Sequence, residues 1–432
     1  MIEKKKFFFN KKILIYGLGK TGISSYIFLK KNNKVFLFDD NKKTSINKKI
    51  INKSYFDYIL VSPGINIRRC ILKNYIKNNL NKIITDLDVF YSHYSKNLNI
   101  SITGTNGKST TAKILFHILK DQKKDVRLVG NIGNAILKEK KISKKTIFVI
   151  EISSYQIEYS KYFQANYAAI LNISPDHLER HGNFNNYAKT KFKLVENQTK
   201  KDYAFFDKKN KYLKKFLNKK KLNTKIINIS KKSYIKEINK IENPYFNTDG
   251  NKENLRFIFS IANKLKLNKK HLFKTINRFK GLNFRQQIIY NTKKISVIND
   301  SKATSFSSSI NILKSLGKVY WLVGGIPKRG DNFFMTKKEC LNFKAYIYGR
   351  NKNYFIKKLK KKLQYEYFKN LQSALKKIIF DIKSKKIKFH STILFSPSAA
   401  SFDTYKNFEE RGKKFNDLLK NYNLKKLVNE SN

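Results

Sequence analysis

Residues 101–111 read SITGTNGKSTT, and the order of residue types in this stretch decides how the rest of the chain is read. Leu98 to Thr103 has the length and apolar content of a strand, and Gly104 to Gly107 interrupt it. Ser109 then begins a run to about Lys120 in which Ala112, Leu115 and Leu119 share one helical face, with Ile114 and Ile118 beside it. Strand, glycine turn and helix in that order make a phosphate site, because glycines let the backbone come close and the first amides of a helix have no intrahelical acceptor. The standard phosphate loop carries a Gly five places before its second Gly, and here that place is Ile102. The stretch is therefore read as a nucleotide loop that departs from the standard form. In such a loop Lys108 can place its ammonium on the β and γ phosphates, the amides of Thr105 to Lys108 can cradle them, and the hydroxyl of Ser109 or Thr110 can meet Mg2+.

A second glycine motif stands earlier. Gly17-Leu18-Gly19-Lys20-Thr21-Gly22 follows the strand-like KKILIYG and opens a helix over about Ile23 to Lys30, and Asp39 ends the next apolar run, KVFLFDD. Such a turn accepts a pyrophosphate on the helix N-terminus. Alone it suggests a dehydrogenase, or a tight turn with no ligand. A dehydrogenase does not account for the later loop, so two phosphate sites imply two phosphorylated ligands.

Other polar residues gather at strand ends. Glu151 closes TIFVIE, and Asp176-His177 follow NYAAILN; in an open parallel sheet the carboxyl ends of strands flank the ligand crevice. A carboxylate and an imidazole beside a triphosphate suit a Mg2+-assisted phosphoryl transfer, although either residue taken singly reads equally well as surface. Farther on, Asn299 to Thr304 follow KISVI, Gly324 to Lys328 follow VYWLV, and Ser396 to Ser401 follow STILF. Lys328 with the hydroxyls of Thr304 and Ser401 would suit a small substrate bearing carboxylates.

Short β-branched and aromatic runs separated by helices recur along the whole chain, with helices expected at about Asn251 to Leu265 and Asp403 to Leu419 and a turn at Gly281. The expected fold is α/β, with three domains each built on a mostly parallel sheet with flanking helices: residues 1–95, 96–281 and 282–432. Boundaries inside the Lys/Asn/Ile-rich stretch from Lys200 to Asn243 are not legible.

The formal charge of +62 would ordinarily point to nucleic acid or an anionic membrane. The lysines are scattered rather than gathered, and come with abundant Asn, Ile, Phe and Tyr; Gly (17) and Pro (5) are scarce. That pattern reads as a chain-wide mutational bias filling solvated surface with Lys, so no specific nucleic-acid partner is expected. Cys70 and Cys340 share no metal spacing and lie far apart in sequence, so a disulfide framework is not indicated and a reducing compartment fits. The start, MIEKKKFFFN, imitates a signal peptide, but Asn10-Lys11-Lys12 breaks the apolar run, and no run approaches the roughly 18 apolar residues of a membrane span. A cytoplasmic monomer is expected.

Gly104 to Thr110 (GTNGKST), Glu151 to Gln156 (EISSYQ) and Asn172 to His177 (NISPDH) together resemble the Mur ligase family of ATP-dependent amide-forming enzymes, in the family's order and across nearly the whole chain. Within it, NDSKAT (Asn299 to Thr304) and SPSAASFDTYKNF (Ser396 to Phe408) resemble the member that adds D-glutamate. The resemblance implies a Rossmann-like N-terminal domain for a UDP-sugar, a central ATP domain and a Rossmann-like C-terminal domain for the amino acid. It implies UDP-N-acetylmuramoyl-L-alanine, D-glutamate and ATP as substrates, an acyl phosphate on the way to the amide, two Mg2+ ions, and a role in peptidoglycan precursor synthesis.

Residue by residue, the resemblance places Gly17, Gly19, Lys20, Thr21, Asp39, Ser62 and Gly64 at the UDP-sugar, which Asn131 and His177 also reach. Lys108, Asn131, Glu151, His177 and Lys191 are implied in catalysis, with Ser109, Glu151, His177 and Lys191 at the metals. Gly104, Thr105, Asn106, Gly107, Lys108, Ser109, Thr110, Asn254, Arg285 and Asp300 are implied at ATP, Arg285 reaching it from the third domain. Thr304, Lys328, Ser401 and Phe408 are implied around D-glutamate. Lys191 falls where the family carries a carbamylated lysine, a modification that turns an ammonium into a carboxylate-like ligand; Lys189 and Lys193 are its near decoys. Two places depart from the family pattern: Gly250 and Phe284 stand where His is common. Competing readings are a nucleotide-binding regulator with a nucleic-acid surface, a sister ligase for another amino acid, and a folate-polyglutamate ligase, which lacks a UDP-binding domain ahead of its ATP loop.

Overall fold

A computed structural model describes residues 8–42, 44–328, 330–384 and 390–422; the first seven residues of the signal-like start lie outside this set. Among the described residues sixteen strands form three sheets in chain order. The first contains β1 (Lys12–Tyr16), β2 (Lys34–Phe38), β3 (Tyr58–Val61) and β4 (Ile83–Ile84), in spatial order β2-β1-β3-β4 and all parallel. The second contains β5 (Asn99–Thr103), β6 (Val126–Gly130), β7 (Ile147–Glu151), β8 (Tyr167–Ile170), β9 (Tyr203–Phe206) and β10 (Lys225–Asn228), in order β10-β9-β8-β5-β7-β6 and again parallel. The third contains β11 (Gln287–Asn291), β12 (Ile295–Asn299), β13 (Lys318–Gly324), β14 (Phe343–Tyr348), β15 (Gln364–Phe368) and β16 (Ser391–Phe395), in order β11-β12-β16-β13-β14-β15. It is parallel except for the β11–β12 hairpin.

The central strands are buried along their length: β5, β12 and β16 have no exposed residue. Helices cover both faces of such strands, which is why they read as nearly continuous apolar runs rather than alternating ones. Position in the sheet follows from this. In the second sheet β5 lies between β7 and β8, so the chain leaves it in both directions and opens a crevice at its carboxyl end. The loop Gly104 to Gly107 begins there. In the third sheet β16 lies between β12 and β13, so the three loops expected to share a cleft leave adjacent strands.

The chain packs as two compact units, one of Met1–Ile173, Arg180–Asn239 and Asn254–Ile276, the other of Ser174–Glu179, Lys240–Glu253 and Asn277–Asn432. The first unit holds two sheets, which share one hydrophobic cluster, and a second cluster on the other face of the first sheet. Phe90, on the helix Asp86–Tyr94, meets Phe148 of β7 edge-on at 4.8 Å. Asp88, on the same helix, accepts hydrogen bonds from Ser160 Oγ and from the amides of Lys161, Tyr162 and Phe163.

Several elements were not legible. The final helix begins at Phe408 rather than near Asp403, because Asn407 caps it through the amide of Glu410. The stretch from Lys200 to Asn243 resolves into β9, the helix Lys211–Lys219, β10 and a short helix at Ile235–Ile238. The helix Asp249–Lys264 and the positive φ of Gly281 (78°) stand where a helix and a turn are expected. Cys70 and Cys340 are buried free thiols. Among the described residues no helix is long and apolar enough to cross a membrane.

Candidate functional site

The loop after β5 turns on two glycines. Gly104 and Gly107 have φ of 152° and 82°, and a Cβ on Gly107 would stand 2.1 Å from Asn254 Oδ1, so no larger residue fits between the loop and Asn254. The helix Lys108–Asp121 starts directly behind Gly107 and leaves its first amides without intrahelical acceptors. Lys108 curls over the loop, its Nζ donating to the carbonyls of Gly104 and Thr105 at 2.8 Å each.

One expectation is modified. The amides of Thr105 and Asn106 donate to the backbone oxygen and side-chain Oδ1 of Asn172, both at 2.9 Å. They therefore brace the loop instead of facing a phosphate, and the cradle falls to the amides at the start of the helix. Asn172 is part of the NISPDH motif, but only the adjacency of β5 and β8 shows what it does. Tyr187 braces the loop from another side, its hydroxyl 3.1 Å from Thr105 Oγ1.

Beside this loop lies an oxygen-rich cluster. Ser109 Oγ donates to Glu151 Oε2 at 2.7 Å, and Asn131 Nδ2 donates to Glu151 Oε1 at 2.8 Å. Glu151 ends β7 and Asn131 follows β6, the strand paired with it. A hydroxyl and a carboxylate one hydrogen bond apart at the mouth of a nucleotide loop are the hard oxygen donors that Mg2+ takes, and so the residues fit a divalent ion.

Lys191 is 1% exposed. Its Nζ donates to Gly104 O at 2.7 Å and stands 4.7 Å from the centre of the Tyr187 ring. Its neighbours two places away leave the helix Phe184–Glu196 on other faces: Lys189 is exposed, and Lys193 Nζ donates to Glu158 O at 2.7 Å. A buried ammonium is costly, and conversion to a carbamate would exchange it for a second anionic oxygen donor beside the loop.

His177 belongs to the other compact unit. It has a φ of 53°, and its ring lies 3.4 Å from Asp176 and 3.5 Å from Glu179. Burial lowers its pKa, outweighing the opposite pull of Asp176. Asp176 also holds Lys328, with Nζ to Oδ1 at 2.5 Å.

Of the residues expected at the UDP-sugar, Gly17 and Ser62 are locked to one another. Ser62 Oγ donates to Gly17 O at 2.6 Å, and a Cβ on Gly17 would meet Ser62 and Ile65 at 2.9 and 2.8 Å. Gly19 and Gly64 face open space, and Lys20 and Thr21 begin the helix Lys20–Leu29. Asp39 accepts from the amides of Leu18 (2.6 Å) and Asn41 (2.9 Å); burial would raise its pKa, but these amides and Lys42 hold it below the usual carboxylate value. Lys42, absent from the expected set, closes on the glycine loop by donating to Leu18 O at 2.7 Å.

In the second unit Asp300 is buried, accepting from the amide of Gln286 (3.1 Å) and from Ser396 Oγ (3.0 Å); burial pushes its carboxyl up to about 7 against both bonds. Phe408 carries two cations on its ring, Lys302 Nζ at 4.1 Å and Arg285 Cζ at 5.6 Å. Phe284, where the family pattern has His, packs against Gly412 so closely that a Cβ there would lie 2.3 Å from its ring. It serves as an apolar anchor for the turn that presents Arg285. Ser401 is buried and Thr304 half-buried.

The Mur ligase middle domain model matches residues 102–277. The UDP-N-acetylmuramoylalanine--D-glutamate ligase of Rickettsia prowazekii (strain Madrid E) is 34% identical over 442 residues, covering 95% of this chain and 98% of that protein. The protein of the same name from Francisella tularensis subsp. tularensis (strain SCHU S4 / Schu 4) is 31% identical over 430 residues, covering 96% and 98%. Among solved structures, MurF ligase from Thermotoga maritima in complex with ADP superposes with a TM-score of 0.56 at 14% identity, covering 97% of each chain. UDP-N-acetylmuramate-alanine ligase MurC from the same organism gives 0.53 at 17% identity, covering 95% and 100%. Likeness at that identity speaks for the fold alone. The full-length relatives, together with the glycine loop, Glu151 and Lys191 gathered at the end of β5, establish that the chain belongs to the Mur ligase family.

Proposed function

We propose that this protein is the ATP-dependent ligase that joins D-glutamate to UDP-N-acetylmuramoyl-L-alanine, acting in the cytoplasm as a monomer with Mg2+. The observation that carries the reading is the convergence of Lys108 and Lys191 on the Gly104 carbonyl, with Ser109, Glu151 and Asn131 linked beside them.

A carboxylate is a poor electrophile and must be activated. Its oxygen attacks the γ phosphorus of ATP and ADP leaves, giving an acyl phosphate. The amine of D-glutamate then attacks the carbonyl carbon, the amide forms, phosphate departs, and the nitrogen loses a proton. Lys108, swung from the loop carbonyls to the transferring phosphoryl group, offsets its charge. Ser109 and Glu151 would hold Mg2+, which would supply charge neutralisation when bound, and a carbamylated Lys191 would add an anionic oxygen beside the same loop. Asn131 fixes the Glu151 carboxylate. In the second unit Lys328 exchanges its bond to Asp176 for a substrate carboxylate, and Thr304, Ser401 and Phe408 complete the pocket.

The test is phosphate release from ATP and Mg2+ in the presence of UDP-N-acetylmuramoyl-L-alanine, comparing D-glutamate with L-glutamate, L-alanine and a diamino acid, with mass detection of product. Release that depends on D-glutamate and yields the extended UDP-sugar is the expected result. Release with another amino acid would keep the family and discard this specificity. Hydrolysis indifferent to the UDP-sugar but stimulated by RNA or DNA would replace the reading altogether.

A further inference from the structure

Arg411, on the first turn of the helix Phe408–Lys420, is 1% exposed. Its hydrogen-bond partners are loop oxygens, while the Asp300 and Asp403 carboxylates attract its charge without bonding it: Nε donates to Ser301 Oγ at 3.1 Å, and Nη2 donates to Ser301 O at 2.7 Å and to Ala399 O at 2.9 Å. Nη1 is buried and makes no hydrogen bond. It lies against Gly325, where an added Cβ would come within 3.1 Å. A buried cation hydrogen-bonded to neutral oxygens, with one nitrogen unsatisfied, is a poor device for stability, which points to another role.

The geometry supplies one. Ser301 belongs to the loop after β12, three residues before Thr304, and Ala399 belongs to the loop after β16, two residues before Ser401. The next residue, Ala400, exchanges backbone hydrogen bonds with Ile326 at 2.9 Å in both directions, and Ile326 stands two residues before Lys328 in the loop after β13. Ser301 Oγ in turn donates to Phe408 O at 2.8 Å. One guanidinium therefore ties together the loops that carry Thr304, Ser401, Lys328 and Phe408. A lysine cannot replace it, because a single ammonium lacks the planar fork that reaches two carbonyls and a hydroxyl at once.

We infer that Arg411 is the positioning residue of the D-glutamate pocket, setting the spacing of its loops without contacting the amino acid. The inference rests on the function proposed above. It is tested with the full-length enzyme by measuring kcat and the three substrate KM values for wild type, Arg411→Ala, Arg411→Lys and Ser301→Ala. Arg411→Ala is expected to raise the KM for D-glutamate about tenfold or more while the KM for ATP and for the UDP-sugar stays within about threefold. Added guanidinium at millimolar concentration should reverse part of the rise, Arg411→Lys should not restore it, and Ser301→Ala should move the same KM in the same direction by a smaller factor. A loss confined to kcat or to the melting temperature, with the D-glutamate KM unchanged, would reduce Arg411 to a structural residue, as would full function in Arg411→Lys. If Arg411→Ala does not fold, the D-glutamate KM of Ser301→Ala decides the matter. Wild-type enzyme indifferent to D-glutamate overturns the functional reading and this inference together; D-glutamate dependence with an unmoved KM in the variants overturns this inference alone.

Discussion

At the scale of single residues, three lysines two places apart in one helix show how little a residue type says without its surroundings. At about 100° per residue, position 191 points away from the side shared by 189 and 193, and of the three only Lys191 reaches the Gly104 carbonyl. Lys191→Ala should lower kcat about a hundredfold or more, with part of the activity returning on addition of acetate or formate as a substitute carboxylate; full activity in the variant would remove Lys191 from the site. Lys108→Ala should abolish turnover, about a thousandfold or more, while calorimetric binding of the UDP-sugar changes little. Asp86 offers a test of pH dependence. It is buried, and burial together with the nearby Asp88 charge pushes its carboxyl up from 3.8 to about 7. The folded protein thus holds this proton more tightly than the unfolded chain does, so the associated stability is full below about 3.8 and is lost as pH rises through about 7. Asp86→Asn, which keeps an oxygen for the amide of Leu87, should raise the melting temperature at pH 8 and leave it nearly unchanged at pH 4.

At the scale of elements, the glycine turns are where sequence pattern and packing meet. Gly17 and Gly22 belong to one motif by spacing, and in the fold they touch: a Cβ on Gly22 would lie 1.9 Å from the carbonyl oxygen of Gly17. Gly22→Ala must therefore push the helix Lys20–Leu29 away from β1, at a cost of about 2 kcal/mol or more, read by urea unfolding, and should weaken UDP-sugar binding in parallel. Strands buried on both faces were legible because their apolar runs are uninterrupted. β11, β15 and β10 were not, since each lies at a sheet edge and is only partly covered. Such strands carry Lys, Gln and Asn and merge with the loops around them. The helix Phe184–Glu196, rich in Asn and Lys, hid for the same reason, although its buried face holds Tyr187, Ala188, Lys191 and Phe192.

At the scale of the whole molecule, a net charge of +62 over 432 residues means strong self-repulsion in any compact state. Raising salt from about 10 mM to about 150 mM shortens the Debye length from about 30 Å to about 8 Å. The melting temperature should rise by several degrees over that range, equally for NaCl and KCl; a fall would show that attractive ion pairs, not repulsion, dominate the surface. The sequence by itself determined the α/β class, the order of the sheets and the glycine loops, because strand burial, helical periodicity and a turn's need for glycine are local properties written in consecutive residues. It also marked Lys108, Ser109 and Glu151, which sit inside contiguous motifs. Only the tertiary structure decided that Asn172 braces the phosphate loop, that Asp39 spends both oxygens on backbone amides, and that Arg411 bonds to a loop more than a hundred residues before it. These are contacts between distant segments, and their partners are often backbone atoms, which every residue carries and which therefore leave no mark in the sequence.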